Sequence, residues 1–421
     1  MQAVIRDARV WTPGAEPVEG HDVVIRDGLI HAVVPTADRV AEPGETVTEA
    51  AGRTVIPGLI DAHVHLTTPS EQRRPVPNAL FRTNALPAEK ALHGYRNALK
   101  ALAAGFTTLR VIGHRDAGEI ELRDLIERRS FVGPRLKVAP WWISMTGGHG
   151  DLFYMKGMTR DPLDTADGPD QVRRLVRVQA ARGADFIKVM ASGGVMSAGD
   201  KPEWPNYTVE EIAAIVDEAH SFGIPVTAHA HSREGIRRSL DAGVDSIEHG
   251  TGLDAELRSQ MVEQGTFLVP TLLIGAEVAD AGPDSVVPED HRAGMADVAR
   301  AQLEQVAEAV ADGVRIACGT DTSGNVCPFG RHARELELYV AAGMSHVQAL
   351  ETATSHAAEL LGLAGRTGCV TPGAPADLLV VDGDPVSDVT ILRDRARLRN
   401  VIVGGVDVTA FLDAVTDAMP A

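Results

Sequence analysis

Hydrophobic residues along this chain repeat with two different periods. Residues 1–56 alternate apolar and polar side chains: AVIRDARVWT, HDVVIRDGLIHAVV and GETVTEAAGRTVI read as short strands broken by Gly, Pro and Asp. Such alternation gives a sheet one apolar and one polar face. Arg26-Asp27-Gly28 falls between two of these runs and predicts a hairpin turn. The same texture returns near the C-terminus in ADLLVVDG (376–383) and LRNVIVGGVDVT (398–409). Neither end is long enough to bury a large core alone. Together they predict one small β-sandwich domain assembled from residues 1–56 and 365–421.

Residues 57–364 alternate strand and helix patterns. Strand candidates are Val55–Asp61, Thr107–Ile112, Leu136–Trp141, Asp185–Met190, Pro225–Ala230, Ser246–His249, Thr266–Thr271 and Arg315–Gly319. Amphipathic stretches such as Pro87–Ala104, Asp170–Arg182, Val209–Phe222, Arg233–Ala242 and Asp254–Gln264 separate them. Eight β-α units predict an α/β fold of the (β/α)8 TIM-barrel type. A doubly wound open sheet is the alternative, but chemistry-bearing residues scattered over several strand ends suit the barrel better. Long loops at Thr67–Leu86, Trp142–Asp164 (with TGGHG) and Ala191–Tyr207 (with SGG and DKPEWP) are candidate substrate-contacting lids.

Composition narrows the class without choosing the chemistry. At 421 residues, with 44% hydrophobic and 23% charged residues, the chain has an ordinary globular make-up. A net charge of −18 argues against nucleic acid or an anionic membrane surface as the main partner. Cys318, Cys327 and Cys369 form neither a disulfide framework nor a C-x-x-C metal site, so reduced thiols in the cytoplasm are the simplest reading. MQAVIRDARV lacks the continuous apolar core of a signal peptide, and no run suggests a membrane span.

The stretch that concentrates chemistry is VIPGLIDAHVHL, residues 55–66. On a strand His63 and His65 share a face. Two buried imidazoles side by side need partners, either backbone carbonyls or a divalent metal. PGLIDAHVHL resembles the opening metal motif of the metal-dependent amidohydrolase superfamily. Within it the chain is similar to the branch of imidazolonepropionase-like and Xaa-Pro dipeptidase (prolidase)-like enzymes, from the N-terminal strands to VTPGAPADLLVVD. The resemblance implies the same barrel and composite β-domain. It also implies two divalent metals, with zinc the default for mixed histidine and carboxylate ligands.

Other residues extend the motif. Lys188, in GADFIKVMASGG, sits on an apolar strand, where a bare ammonium is expensive. It either pairs with a barrel carboxylate or, as a neutral amine, takes up carbon dioxide to form a carbamate. The resemblance favours a carbamate bridging the two metals. HAH at 229–231 and EHG at 248–250 place histidines at strand C-termini, where barrel active sites form. By resemblance His229 and His249 hold the second metal. His231 ligates, binds substrate or covers the site, with substrate binding preferred. Glu248 reads as an orienting group. Asp321, in CGTD, either caps a turn or binds a metal and takes a proton from bound water. Its companions favour the catalytic role: His63, His65, Lys188, His229, His249 and Asp321 fall in order on the first, fourth, fifth, sixth and eighth strands.

Substrate contacts are softer. Arg237 is placed to receive a carboxylate through a bidentate guanidinium, or else lies on a solvated helix face. His149, in GGHG, either reaches the site from its loop or is a plain loop histidine. Trp141 and Trp142 wall the pocket or pack in the core. His93, His220, His291, His332, His346 and His356 read as structural or solvent-exposed. The expected activity is hydrolysis of a small-molecule amide, such as a dipeptide or N-acyl amino acid, by a metal-activated hydroxide. A cyclic amidohydrolase or deaminase is the alternative; imidazolonepropionase-like relatives typically use one metal and lack the bridging lysine. A non-catalytic binding member of the fold is the third reading. By analogy with barrel relatives, a homo-oligomer is expected.

Overall fold

The computed structural model describes residues 2–69, 85–113, 118–151, 165–194, 200–282, 285, 289–324 and 326–418. Parts of the three candidate lids (70–84, 152–164 and 195–199) and the side chain of His291 lie outside the described residues.

Five strands open the chain: β1 (Gln2–Val10), β2 (Val18–Arg26), β3 (Leu29–Pro35), β4 (Thr46–Glu49) and β5 (Thr54–Pro57). β2 and β3 form the expected hairpin, and Asp27 and Gly28 both take positive φ (51° and 84°), as a type I′ turn requires. The run expected as one strand over Val55–Asp61 is divided at Gly58. β5 stays in the terminal sheet, and β6 (Leu59–Val64) begins the barrel. Glycine is needed at this crossing, because a Cβ there would lie 2.1 Å from Thr107 Oγ1.

The barrel continues through β7 (Phe106–Ile112), β8 (Arg135–Ala139), β9 (Trp142–Ile143), β10 (Ile187–Met190), β11 (Val226–Ala230), β12 (Ser246–His249) and β13 (Phe267–Val269). The ladders are parallel, as expected of βα units: β6-β7-β8 on one side and β9 to β13 on the other. β8 and β9 are two halves of the third strand, interrupted around Pro140. The eighth strand has no long ladder of its own. Single bridges from Ile316 to Leu268 and from Thr322 to Val64, with Ala62 N–H donating to Cys318 O (2.7 Å), close the ring between β13 and β6.

The chain ends in β14 (Leu378–Val381), β15 (Leu398–Val403) and β16 (Val406–Asp407). These join the N-terminal strands in one eight-stranded sheet, ordered β16-β15-β14-β5-β1-β2-β3 with β4 beside β1. Alternation along β14 explains how this sheet serves two cores. Leu378 and Val380 pack with Ile5, Val23 and Ile30, while Leu379 and Val381 join the core formed with the barrel helices. The architecture is therefore a TIM barrel with a sheet domain built from both chain ends.

Local signals set where the functional loops begin. Thr208 and Glu211 form a reciprocal capping box that starts the helix Val209–Ser221. Ser232, directly after HAH, caps Arg233–Asp241 by accepting from Gly235 N–H at 3.0 Å. β11 thus stops at Ala230, leaving His231 at the mouth. Among the described residues no helix is long and apolar enough to cross a membrane.

Candidate active site

The C-terminal ends of the barrel strands gather one cluster. His63 comes from the end of β6, His65 from just beyond it, Lys188 from β10, His229 from β11, His249 from β12 and Asp321 from the turn after the eighth strand. One donor atom each from His63, His249 and Asp321 lies within 4.8 Å of the others, and the same holds for His229, His231 and His249. Asp321 Oδ1 is 3.3 Å from His65 Nε2 and 3.6 Å from His63 Nε2. His149 stacks on His229 (ring centroids 4.3 Å apart, planes at 16°), with Asp200 Oδ2 3.3 Å from its Nδ1. Trp142 meets His65 edge-on at 6.4 Å and so borders the site. Trp141 instead lies under the Arg182 guanidinium.

The partners of the rings fix their tautomers. His63 Nδ1–H donates to Glu248 Oε2 (2.6 Å), and His65 Nδ1–H to the Ile112 carbonyl (2.9 Å). The Thr271 hydroxyl donates to Pro270 O, so its oxygen accepts from His249 Nδ1–H at 2.7 Å. Thr251 likewise donates to His231 O and accepts from His231 Nδ1–H at 3.0 Å. All four rings therefore carry their lone pair on Nε2. His229 is reversed: its Nε2 faces Gly193 O at 3.3 Å, which leaves the lone pair on Nδ1. Three residues here adopt left-handed backbone: His249 (φ 68°), Thr271 (φ 53°) and Asp321 (φ 54°). Each stands where a strand breaks off toward the mouth.

The sequence pattern of the Amidohydrolase family matches residues 54–408, which include every member of this cluster. The chain belongs to the amidohydrolase family. It is 31% identical over 419 residues to ochratoxinase of Aspergillus niger, covering 94% of this chain and 85% of that protein. It is 28% identical to the imidazolonepropionase of Acidiphilium cryptum, covering 96% and 98% of the two chains. A Xaa-Pro dipeptidase solved with methionine in its active site superposes with a TM-score of 0.87, at 31% identity, over 97% of this chain and 99% of that one. This amidohydrolase is accordingly a hydrolase acting on carbon–nitrogen bonds.

The site suits the metal dependence general to amidohydrolases. Burial drives three histidine pKa values down, that of His231 to about 3 and those of His229 and His249 well below the ordinary range, so these three rings are neutral. Burial also lowers Lys188, to about 8, with Glu248 pulling the other way and Arg110 adding to the depression. Its Nζ is buried without a hydrogen-bond partner among the described residues. Burial alone would raise Asp321, but His63, His65 and Lys188 hold it near 2. Neutral imidazoles and an ionised carboxylate are the donor set that divalent cations complete.

Arg237 does not join this amidohydrolase's cluster as a carboxylate receptor. Its Nε and Nη2 donate to Glu234 (2.9 and 2.7 Å) and its Nη1 to Asp241, so its own helix already occupies the guanidinium. The guanidinium expected to receive a substrate carboxylate is thus held by acids of its own helix. His332, expected to be structural or exposed, is fully buried beneath the site. Its Nδ1–H donates to Asp61 Oδ2 (2.7 Å), and Asp61 also accepts from Thr320 Oγ1, Thr320 N and His63 N. This brace, and the contacts of Glu248 with Arg110 and Thr227, were not foreseen. Asp61 did leave a signal: it shares the inward face of β6 with His63, an acid inside a buried run.

Proposed function

We propose that this chain is a binuclear metal-dependent hydrolase of linear amides that carry a carboxylate on the amine side. His63, His65 and Asp321 would hold one metal and His229 and His249 the other. Lys188, as a carbamate, would serve as an anionic ligand between the two groups. Two divalent metals held there, zinc by default, supply Lewis-acid polarisation of the scissile carbonyl and a water acidified to attack it.

The chain's own residues supply the rest. The deprotonated fraction of Lys188, which burial enlarges by lowering the pKa to about 8, adds to carbon dioxide, forming a nitrogen–carbon bond and releasing one proton, and so becomes an anionic two-oxygen ligand. Asp321, at the mouth, accepts the proton of the attacking water and returns it to the leaving nitrogen. His231 and His149 flank the second subsite as contacts for substrate oxygen, and Trp142 walls the first. The observation that carries the reading is the Lys188 amine, buried among the candidate ligands with no hydrogen-bond partner among the described residues.

Relatives support the linear substrate. A prolidase at 31% identity and a TM-score of 0.87, covering 97% and 99% of the two chains, was solved with N-methylphosphonate-L-proline. That ligand places a phosphonate on the nitrogen of an amino acid whose carboxylate is free. With Arg237 engaged elsewhere, the carboxylate preference rests on these relatives.

The test is amine release from dipeptides, Xaa-Pro among them, and N-acyl amino acids, using metal-loaded enzyme in bicarbonate buffer. Release is expected, and Asp321→Asn should lower it by about 10²–10⁴-fold with both metals retained. Undiminished turnover in that variant would remove Asp321 from the proton path. Silence across the panel with two metals bound would transfer the assignment to cyclic amides or deamination, consistent with the imidazolonepropionase relative.

A further inference from the structure

We infer that Glu248 is a positioning residue for the first metal subsite, acting through His63, with Arg110 holding Glu248 in place. The inference rests on the ligand assignment proposed above and deepens it.

The geometry is a polar crossbar inside the barrel. Glu248 has no solvent exposure, and both carboxylate oxygens are engaged. Oε2 accepts from His63 Nδ1. Oε1 accepts from Arg110 Nη2 (2.6 Å), Ser246 Oγ (3.1 Å) and Thr227 Oγ1. Arg110 is anchored in turn: its Nε donates to the Ala62 carbonyl (2.5 Å), its Nη1 to Ser246 Oγ (3.3 Å), and its guanidinium lies 5.2 Å from the Phe186 ring centroid. The bar thus joins β6 and β7 to β11 and β12, which face one another across the barrel. Its anchor on Ala62 is the residue next to His63, and Glu248 is the residue next to His249. One network therefore sets the spacing between a ligand of each subsite.

Stability does not account for such a bar. Buried ion pairs rarely outdo apolar residues of similar volume, because desolvation offsets their attraction. A carboxylate behind a metal-ligating imidazole does something apolar packing cannot. It fixes the tautomer and the ring angle, so that Nε2 faces the metal position.

The test separates orientation from mere support. The double variant Arg110→Met/Glu248→Met removes both charges together and so avoids stranding either one in the core. Wild type, this double variant and Glu248→Gln are loaded with Zn(II) and, separately, with Co(II). Melting temperature, metals per chain, Zn(II) affinity by chelator competition and the visible Co(II) spectrum are then recorded. The expected result is a folded double variant in which one of two metals binds 10–100-fold more weakly, with an altered Co(II) spectrum. Glu248→Gln should show the same loss, because its amide N–H group must face either His63 Nδ1–H or the Arg110 and Thr227 donors. Should the double variant fail to fold, Glu248→Gln decides. Wild-type affinity and spectrum in whichever variant folds would overturn the inference and leave the ligand assignment standing. Wild type that binds no metal would overturn the assignment itself, and this inference with it.

Discussion

The two histidine groups of the candidate site are built from different materials. The first, around His63 and His65, is framed by carboxylates: Glu248 behind His63 and Asp321 between the two rings. The second, around His229 and His249, has neutral partners: the Thr271 hydroxyl, the Gly193 carbonyl and flanking imidazoles, with His231 stacked on His249 at 4.7 Å and 13°. Charge-assisted hydrogen bonds are shorter and roughly twice as strong as neutral ones. One ring of the first group, His63, is therefore oriented by a charge-assisted bond, whereas His65 and the rings of the second group rest on neutral partners and packing. Lys188 lies between the two systems and belongs to neither.

That difference can be broken or sharpened by substitution. The largest effect is expected from Lys188→Ala, which removes the proposed link between the two groups. Elemental analysis should find fewer than two metals per chain and turnover should collapse, with partial rescue by formate or acetate. Two tightly held metals in this variant would refute the bridge. Next comes Thr271→Val, which keeps the shape and left-handed backbone of the residue but removes the acceptor of His249 Nδ1–H. Metal affinity should fall by roughly 10-fold, the low end of what losing such a partner does. A loss as large as that of Glu248→Gln would erase the distinction between charged and neutral support.

A smaller effect should appear as a pH slope. Both oxygens of buried Glu335 accept backbone N–H groups, from Leu272 (2.9 Å) and Leu273 (2.6 Å), directly after Thr271. Burial pushes its pKa from an ordinary 4.5 up to about 8, against those two bonds and with Asp61 adding to the rise. A folded-state value above the unfolded one means that the native protein holds this proton more tightly. Glu335 therefore withdraws stability as pH climbs from about 4.5 to 8 and changes nothing further above that. Glu335→Gln should flatten the urea midpoint over this window, and an unchanged slope would clear Glu335 of the effect. The smallest change is expected from Arg237→Ala, whose ion pairs lie on a partly exposed helix face. Melting should shift by no more than about 2 °C, and Michaelis constants across the amide panel should stay put. A raised constant for carboxylate-bearing substrates would return Arg237 to the site.

Periodicity made the barrel legible. Every helix stretch named from the pattern is present to within a residue or so at its ends, and each strand candidate contributes to the ring, although Val55–Pro57 belongs to the terminal sheet. The boundaries that misled are those decided by contacts far away in sequence. The strand through Pro57 divides because Gly58 passes against Thr107, and the eighth strand is ragged because it bends toward His63 at Gly319–Asp321. The candidate ligands were visible because HVH, HAH, EHG and CGTD each place chemistry at a strand end. Their supporting residues were not. Arg110, Thr227, Thr271 and His332 are unremarkable in their own segments and become partners only once the barrel closes. Arg237 shows the converse: its position on the helix suits a substrate carboxylate, and Glu234 and Asp241, three and four residues away, already pair with it.

The left-handed backbone at His249, Thr271 and Asp321 has a consequence for anyone hardening this protein against heat. Such conformations cost on the order of 1–3 kcal/mol in residues other than glycine, most for a β-branched one such as Thr271. Glycine at any of the three positions relieves the strain and deletes a ligand or its support. Selection for thermal endurance alone will therefore converge on these positions and return sturdy, inert barrels. The native sequence stays below the stability its own fold allows, and turnover has to be part of any screen meant to keep the enzyme an enzyme.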